Sequence, residues 1–310
     1  MDAHDGAPPR DNNGCCSAPG PDIGAAPSQG WDKQSPWYVE CMSPATASLA
    51  VSLLGHLGLF TGKGTLSDLK LLETHCGDAR AIGMIGLDKL RLSDYHGCDF
   101  SPVMIDSAKE RLLNTKDINR GVPLTLTECP STALPYETST FDRYMSNMGC
   151  CCVTDLTLKL SEAHRVLKQD GVAAMSMRLA EDAVGDTSFA LIAEGLKPYG
   201  FPPGPTREGL HLGKDIAKLR ARLIGAGFRS AVAWKSFVTL PIHTGEQFAL
   251  WAIGQPPISK FMQKRAEMDV DASELKHKEM MQALAAVAER ELNGEIGVIQ
   301  IAVAVVVATK

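Results

Sequence analysis

The stretch from Leu69 to Arg178 constrains the fold most, because short apolar runs alternate there with amphipathic segments of helical period. LKLLETH, YHGCDFS, PLTLTE, FDRYMSN and GVAAMSMRL read as strands, and an Ala, Ile and Met stretch, SPVMIDSAKERLL and LTLKLSEAHRVLK read as the helices among them. Ser101 and Pro102 stand at cap and first-turn positions of SPVMIDSAKERLL, whose Met104, Ala108 and Leu112 share one face. This alternation predicts an α/β fold. The sheet is expected to be doubly wound and mainly parallel, Rossmann-like, with helices on both faces and ligands at the carboxyl ends of its strands.

The flanks complete the plan. Leu49, Leu53, Leu54 and Leu57 recur at helical spacing, with Ser43 as the expected cap. The first thirty residues, rich in Gly, Pro, Ala, Asp and Asn, predict a disordered tail over 1–30. Past Arg178, KDIAKLRARLIGAGF predicts a helix, AVAWKSFVTLPI a strand, and DASELKHKEMMQALAAVAERELNG a long helix with Asp271 and Glu274 as a capping box and Gly294 as its stop. The closing IGVIQIAVAVVVATK is interrupted by Gly297 and Gln300 and is shorter than the roughly 18 apolar residues of a membrane helix, so it reads as a buried strand. One domain is expected over 31–310, with an N-terminal helical lid (31–60) and a helical insertion at about 245–294.

Charge and cysteine content narrow the function classes. The 31 basic and 36 acidic residues give a net charge of −5, without the clustered Lys and Arg that nucleic acid requires. Nine cysteines, with no basic-then-apolar leader, point to reduced thiols and a cytoplasmic protein. Adjacent Cys150, Cys151 and Cys152 face different directions and read as packing residues, so no metal is expected.

Two turns stand where a nucleotide site belongs: ETHCGDA after the first strand and CDFS at the end of the second. Gly77 permits a tight turn and close approach of backbone to a ligand, and Asp99, 22 residues later, is placed to accept from ribose hydroxyls. The G-x-G-x-x-G pattern is absent, which argues against NAD or FAD and for a ribose without a pyrophosphate.

Through LLETHCGDA, GCDFSPVMIDSAKERL, ALPYETSTFDRYMSN and AHRVLKQDG, in that order, the chain resembles the class I S-adenosylmethionine-dependent methyltransferases, in particular the small-molecule branch called methyltransferase type 11. The resemblance implies a seven-stranded sheet whose last strand is antiparallel. It also implies S-adenosylmethionine as cofactor, with S-adenosylhomocysteine as product, and in-line transfer of methyl to an O, N or S nucleophile of a small molecule. Glu73, His75, Cys76, Gly77 and Asp78 would surround the methionine part. Asp99 would bind the ribose, Phe100 and Met104 would flank the adenine with Ser131 near its amino group, and Asn147 and Met148 would border the methyl. His75 and Ala79 stand where the family has its outer glycines. Either the imidazole is recruited to the site or it is merely tolerated, and the sequence favours toleration.

For an acceptor that must lose a proton, His75, His211 and His243 are the candidate bases. The segments outside the resemblance, WDKQSPWY and KPYGFPPGPTREGLHL, are expected to carry the substrate lid, with Trp31, Trp37, Tyr38 and Phe201 as its contacts. The expected protein is a monomer or homodimer with no membrane partner. The alternative reading is a catalytically inactive methyltransferase-like binding or scaffold protein.

Overall fold

The computed structural model describes Asp32 and residues 35–60, 69–113, 121–150, 153, 155–179, 187–201, 215–267, 273–293 and 297–310. The strands are β1 (Lys70–Thr74), β2 (Asp94–Asp99), β3 (Leu124–Glu128), β4 (Phe141–Ser146), β5 (Leu167–Arg178), β6 (Ser230–Ile242) and β7 (Gly297–Thr309). They form one seven-stranded sheet in the order β3-β2-β1-β4-β5-β7-β6. The first five are parallel, and β7 inserts antiparallel between β5 and β6. The Val- and Ala-rich end of the chain is therefore an interior strand, buried over most of its length, as its unbroken hydrophobicity predicts.

The helices are α1 (Ser43–His56), α2 (Arg80–Ile85), α3 (Pro102–Leu113), α4 (Leu156–Val166), α5 (Thr187–Leu196), α6 (Ile216–Gly225), α7 (Gly245–Ile253), α8 (Pro256–Glu267) and α9 (Ser273–Leu292). Side chains close several of their first turns. Ser101 Oγ accepts from Met104 N at 3.3 Å, Asp155 from Leu158 N at 2.8 Å, Asp215 from Lys218 N at 3.0 Å and Thr244 from Gln247 N at 3.1 Å. Leu156, Leu160, Leu219 and Leu223 of α4 and α6 pack on one face of the sheet. Leu53 and Leu54 of α1, Ile82 of α2, Leu112 of α3 and Phe248 of α7 belong to the core of the other.

Two local expectations are corrected. Ser43 is not a cap: the chain enters α1 through a π-helical turn, Tyr38–Met42, and Ser43 already has helical dihedrals. The helix of LTLKLSEAHRVLK stops at Val166, because Leu167 already pairs with Phe141 of β4. Between β6 and β7, the expected long helix is α9, with α7 and α8 before it. The tail 1–30, Cys151, Cys152, Asp271 and Gly294 lie outside the described residues. Among the described residues, no helix is long and apolar enough to cross a membrane.

The N-terminal segment is held down from the far end of the chain. Trp251 Nε1 donates to Met42 Sδ at 3.1 Å, and the Trp37 ring lies against Gly254 so closely that a Cβ there would overlap it. Gly254→Val should thus lower stability by about 1–3 kcal/mol through overpacking. A loss in urea unfolding, with quenching of tryptophan fluorescence altered, is the expected result.

Candidate active site

The site grows from the turn after β1. His75, Gly77 and Ala79 have φ of +55°, +54° and +49°, so the backbone keeps a left-handed conformation at all three positions although only one is glycine. Each non-glycine residue there costs roughly 1–2 kcal/mol. A Cβ on Gly77 would meet nothing within 4 Å, so the turn faces open space.

Asp78 is almost wholly buried, and three side chains from three elements hold its carboxylate. Ser43 Oγ donates at 2.5 Å, Arg111 Nη2 at 2.6 Å, and Arg80 Nη2 lies 3.2 Å away. Arg111 also donates to the Asp78 carbonyl at 2.9 Å, and Arg80 reaches back to Ser43 Oγ at 2.9 Å and to the Val39 carbonyl at 2.8 Å. Asp78 thereby ties α1 and α3 to the turn. With its oxygens so occupied, it acts as a structural anchor rather than a free ligand group.

The other two acids are buried and hold their protons more tightly than usual. Glu73, at the end of β1, accepts from Tyr95 OH at 2.6 Å, and burial raises its pKa to about 8. Asp99, at the end of β2, accepts from Gly77 N at 3.1 Å and Ser101 N at 3.0 Å; burial raises its pKa to about 6, against the pull of those N–H groups. Its hydrogen bond to Gly77 links the ends of the two strands that the sequence singled out.

A narrow cleft of about 30 Å³ opens over this turn beneath α1. Of the expected residues, Tyr38, Glu73, His75, Cys76, Gly77, Asp78 and Asn147 line it, together with Ser43, Thr46, Ala47, Ala50, Arg80 and Ala81. Asn147 Nδ2 donates to the Thr46 carbonyl at 3.0 Å, and its Oδ1 accepts from Ser176 Oγ at 2.8 Å. Met148, left-handed at φ +57°, donates its N–H to the same Ser176 hydroxyl at 2.8 Å. Ser131 is buried, and its hydroxyl has no hydrogen-bond partner among the described residues. Phe100 is half-buried just after β2, and Met104 is buried on α3.

Several expected residues are placed elsewhere. Phe201 is a core residue, packed on Phe189 and Phe261 at ring-centroid distances of 5.7 and 4.9 Å, so it is not a lid contact. Trp37 packs on Gly254 rather than in the cleft. His243 is exposed between β6 and α7, outside the cleft lining. Trp31 and His211 lie outside the described residues. His75 is not a bystander: its Nδ1 is 3.0 Å from the ammonium of Lys159. Burial and that charge push its pKa well below the ordinary imidazole value, which makes it a poor general base.

Sequence reasoning missed Lys159, Tyr95, Arg80 and Arg111. Lys159 carried a signal, since it falls within the apolar stripe of Leu156, Leu160 and Ala163 on α4, where a lysine is buried only with partners. Arg111 carried none, because its partner Asp78 lies 33 residues away.

Residues 72–175 match the model of a methyltransferase domain. The match takes in about a third of this chain. The ubiquinone/menaquinone biosynthesis C-methyltransferase UbiE of Citrifermentans bemidjiense is 33% identical over 75 residues, which cover 24% of this chain and 31% of that protein. The match thus spans about a third of the relative's length. Among solved structures, the YcgJ protein of Bacillus subtilis is similar at a TM-score of 0.50 and 14% identity, over 85% of this chain and 98% of that one. At that identity the likeness establishes the fold. The phosphoethanolamine N-methyltransferase 2 of Haemonchus contortus follows at 0.49 and 15% identity, over 85% of this chain and 52% of that one.

Glu73 provides a direct check of the site's electrostatics. A raised carboxyl pKa favours the folded state at low pH, and that advantage is lost as pH rises from the unfolded value, near 4.5, through about 8. Glu73→Gln keeps a neutral partner for Tyr95 and should stabilise the protein by about 2–3 kcal/mol at pH 7 and by little at pH 4.5. Urea unfolding at the two pH values measures the difference.

Proposed function

We propose that this chain is an S-adenosylmethionine-dependent methyltransferase acting on a small-molecule acceptor. One observation carries the reading: inside the segment that matches a methyltransferase domain, the acid ending β2 turns its carboxylate onto the left-handed turn that follows β1. The residues present suit the cofactor. Gly77 faces open space, Asp99 offers carboxylate oxygens to the ribose hydroxyls, and the orphaned Ser131 hydroxyl offers a partner to the adenine edge. Glu73, on the cleft wall, suits the ammonium of the amino-acid end. Phe100 and Met104 would flank the base, and Asn147 and Met148 would border the reacting group.

Bound S-adenosylmethionine supplies an electrophilic methyl group on a sulfonium centre. The protein's part is to hold the acceptor's lone pair in line with that methyl and to exclude water. The helix α1 covers the turn and closes the cleft from above, with Ala47 and Ala50 giving it an apolar lining. Asn147 bridges α1 to Ser176 of β5, so the cover and the floor form one unit. His75 stays neutral across the physiological range, and the acceptor therefore reacts through its own lone pair or as a preformed anion. Tyr38, among the lining residues, is the aromatic side chain that would meet it.

The acids give the binding step a pH dependence with a fixed sign. Asp99 must ionise to accept from two hydroxyls, and Glu73 must ionise to meet an ammonium, so both lose protons on binding below their pKa values of about 6 and 8. Affinity for S-adenosylhomocysteine should rise between pH 5 and 8, with proton release seen by calorimetry in buffers of different ionisation heat. Asp99→Ala should fold and lose about 1–3 kcal/mol of that affinity. No binding by the folded parent protein sinks the reading, and binding without any methylated product from a metabolite extract, read by mass spectrometry, favours the inactive scaffold.

A further inference from the structure

Lys159 is fully buried on α4, yet its ammonium reaches groups from two other elements of the site. It donates to Ser146 Oγ, at the end of β4, at 2.9 Å and contacts His75 Nδ1 at 3.0 Å. An ammonium has no lone pair, so Nδ1 is the acceptor, and a neutral imidazole accepting at Nδ1 carries its proton on Nε2. Gly149 makes room for this arrangement, since a Cβ there would overlap both the His75 ring and Ser146 Oγ. The ring lines the cleft, and Nε2 has no hydrogen-bond partner among the described residues.

We propose that Lys159 and His75 form one anion-recognition unit, in which Lys159 is a positioning residue that locks the imidazole as an Nε2–H donor for the carboxylate of the cofactor's amino-acid end. This rests on the reading that the cleft binds S-adenosylmethionine. The charge behind the ring polarises the N–H and favours an anionic oxygen over a cation. Arg80, on the same lining, adds positive charge, and Glu73 leaves a separate place for the ammonium. The substitution of the first family glycine by histidine thus replaces a bare backbone with a side-chain donor, supported by a lysine 84 residues away.

The test is a double-mutant cycle of Lys159→Met and His75→Gly, with two probes: S-adenosylhomocysteine, and methylthioadenosine, which lacks the amino-acid end. Each single variant should bind S-adenosylhomocysteine on the order of tenfold more weakly, with methylthioadenosine unchanged within about twofold, and the double variant no worse than His75→Gly. Nitrogen-15 shifts of the imidazole should report the Nε2–H tautomer in the parent and a mixture in Lys159→Met. Additive losses, equal losses for both probes, or an unaltered tautomer in folded Lys159→Met overturn the proposal. Should Lys159→Met not fold, Lys159→Gln, which keeps a donor to Nδ1, must retain the tautomer, and His75→Gly alone must show the selective loss. A folded parent that binds neither probe overturns the cofactor reading itself, whereas a parent that binds both equally well removes only the carboxylate contact.

Discussion

The carboxylate of Asp78 is the point on which the site depends. It sits inside the turn after β1 and gathers Ser43 from α1, Arg80 from α2 and Arg111 from α3. Losing the buried carboxylate would leave two arginines without their shared partner, a disruption of about 3–5 kcal/mol where an ion pair is buried. That is enough to hold a strained turn in place. His75 and Ala79 both adopt left-handed backbone that a side chain disfavours, and the ion cluster together with the Lys159 contact keeps them there. The cover helix is set by the same cluster, so the shape of the cleft and the conformation of its floor have a common cause.

The floor is also electrostatically unfavourable in isolation. Glu73 and Asp99 are buried without a cation bonded directly to either among the described residues, and both shift toward their neutral forms. Apolar packing elsewhere, in the two hydrophobic faces of the sheet, offsets this cost. Acids held near their titration points accept hydrogen bonds or a positive charge by releasing a proton, which suits the proposed binding of hydroxyls and an ammonium together. The same burial depresses His75, so one environment raises the acids and lowers the base.

Much of the architecture was legible along the chain. Period-two and period-3.6 patterns are local, so the strands from LKLLET to GVAAMSM and the helix after SP could be read from neighbours alone. The closing apolar run was recognisable as a strand, but its antiparallel place between β5 and β6 was implied only by family likeness. Gly77 and Asp99 were legible as neighbours because a turn glycine and a strand-end acid sit at fixed intervals in such sheets, and the hydrogen bond from Gly77 N–H to the Asp99 carboxylate joins the two places.

The roles of individual side chains were decided elsewhere. Phe201 looked like a lid residue from its Pro- and Gly-rich neighbourhood, yet Phe189 and Phe261, on separate helices, draw it into the core. Asp78 looked like a ligand group until Arg111 was seen to occupy it, and the Lys159 ammonium, 3.0 Å from His75 Nδ1, gives that imidazole a partner from a distant helix. What the sequence alone determined was the order of strands and helices and the glycine turn after the first strand, because these follow from short-range periodicity and backbone stereochemistry. What only the tertiary structure decided was which buried polar groups are already paired. Pairing depends on charges and hydrogen bonds between residues tens of positions apart, and no local pattern encodes that distance.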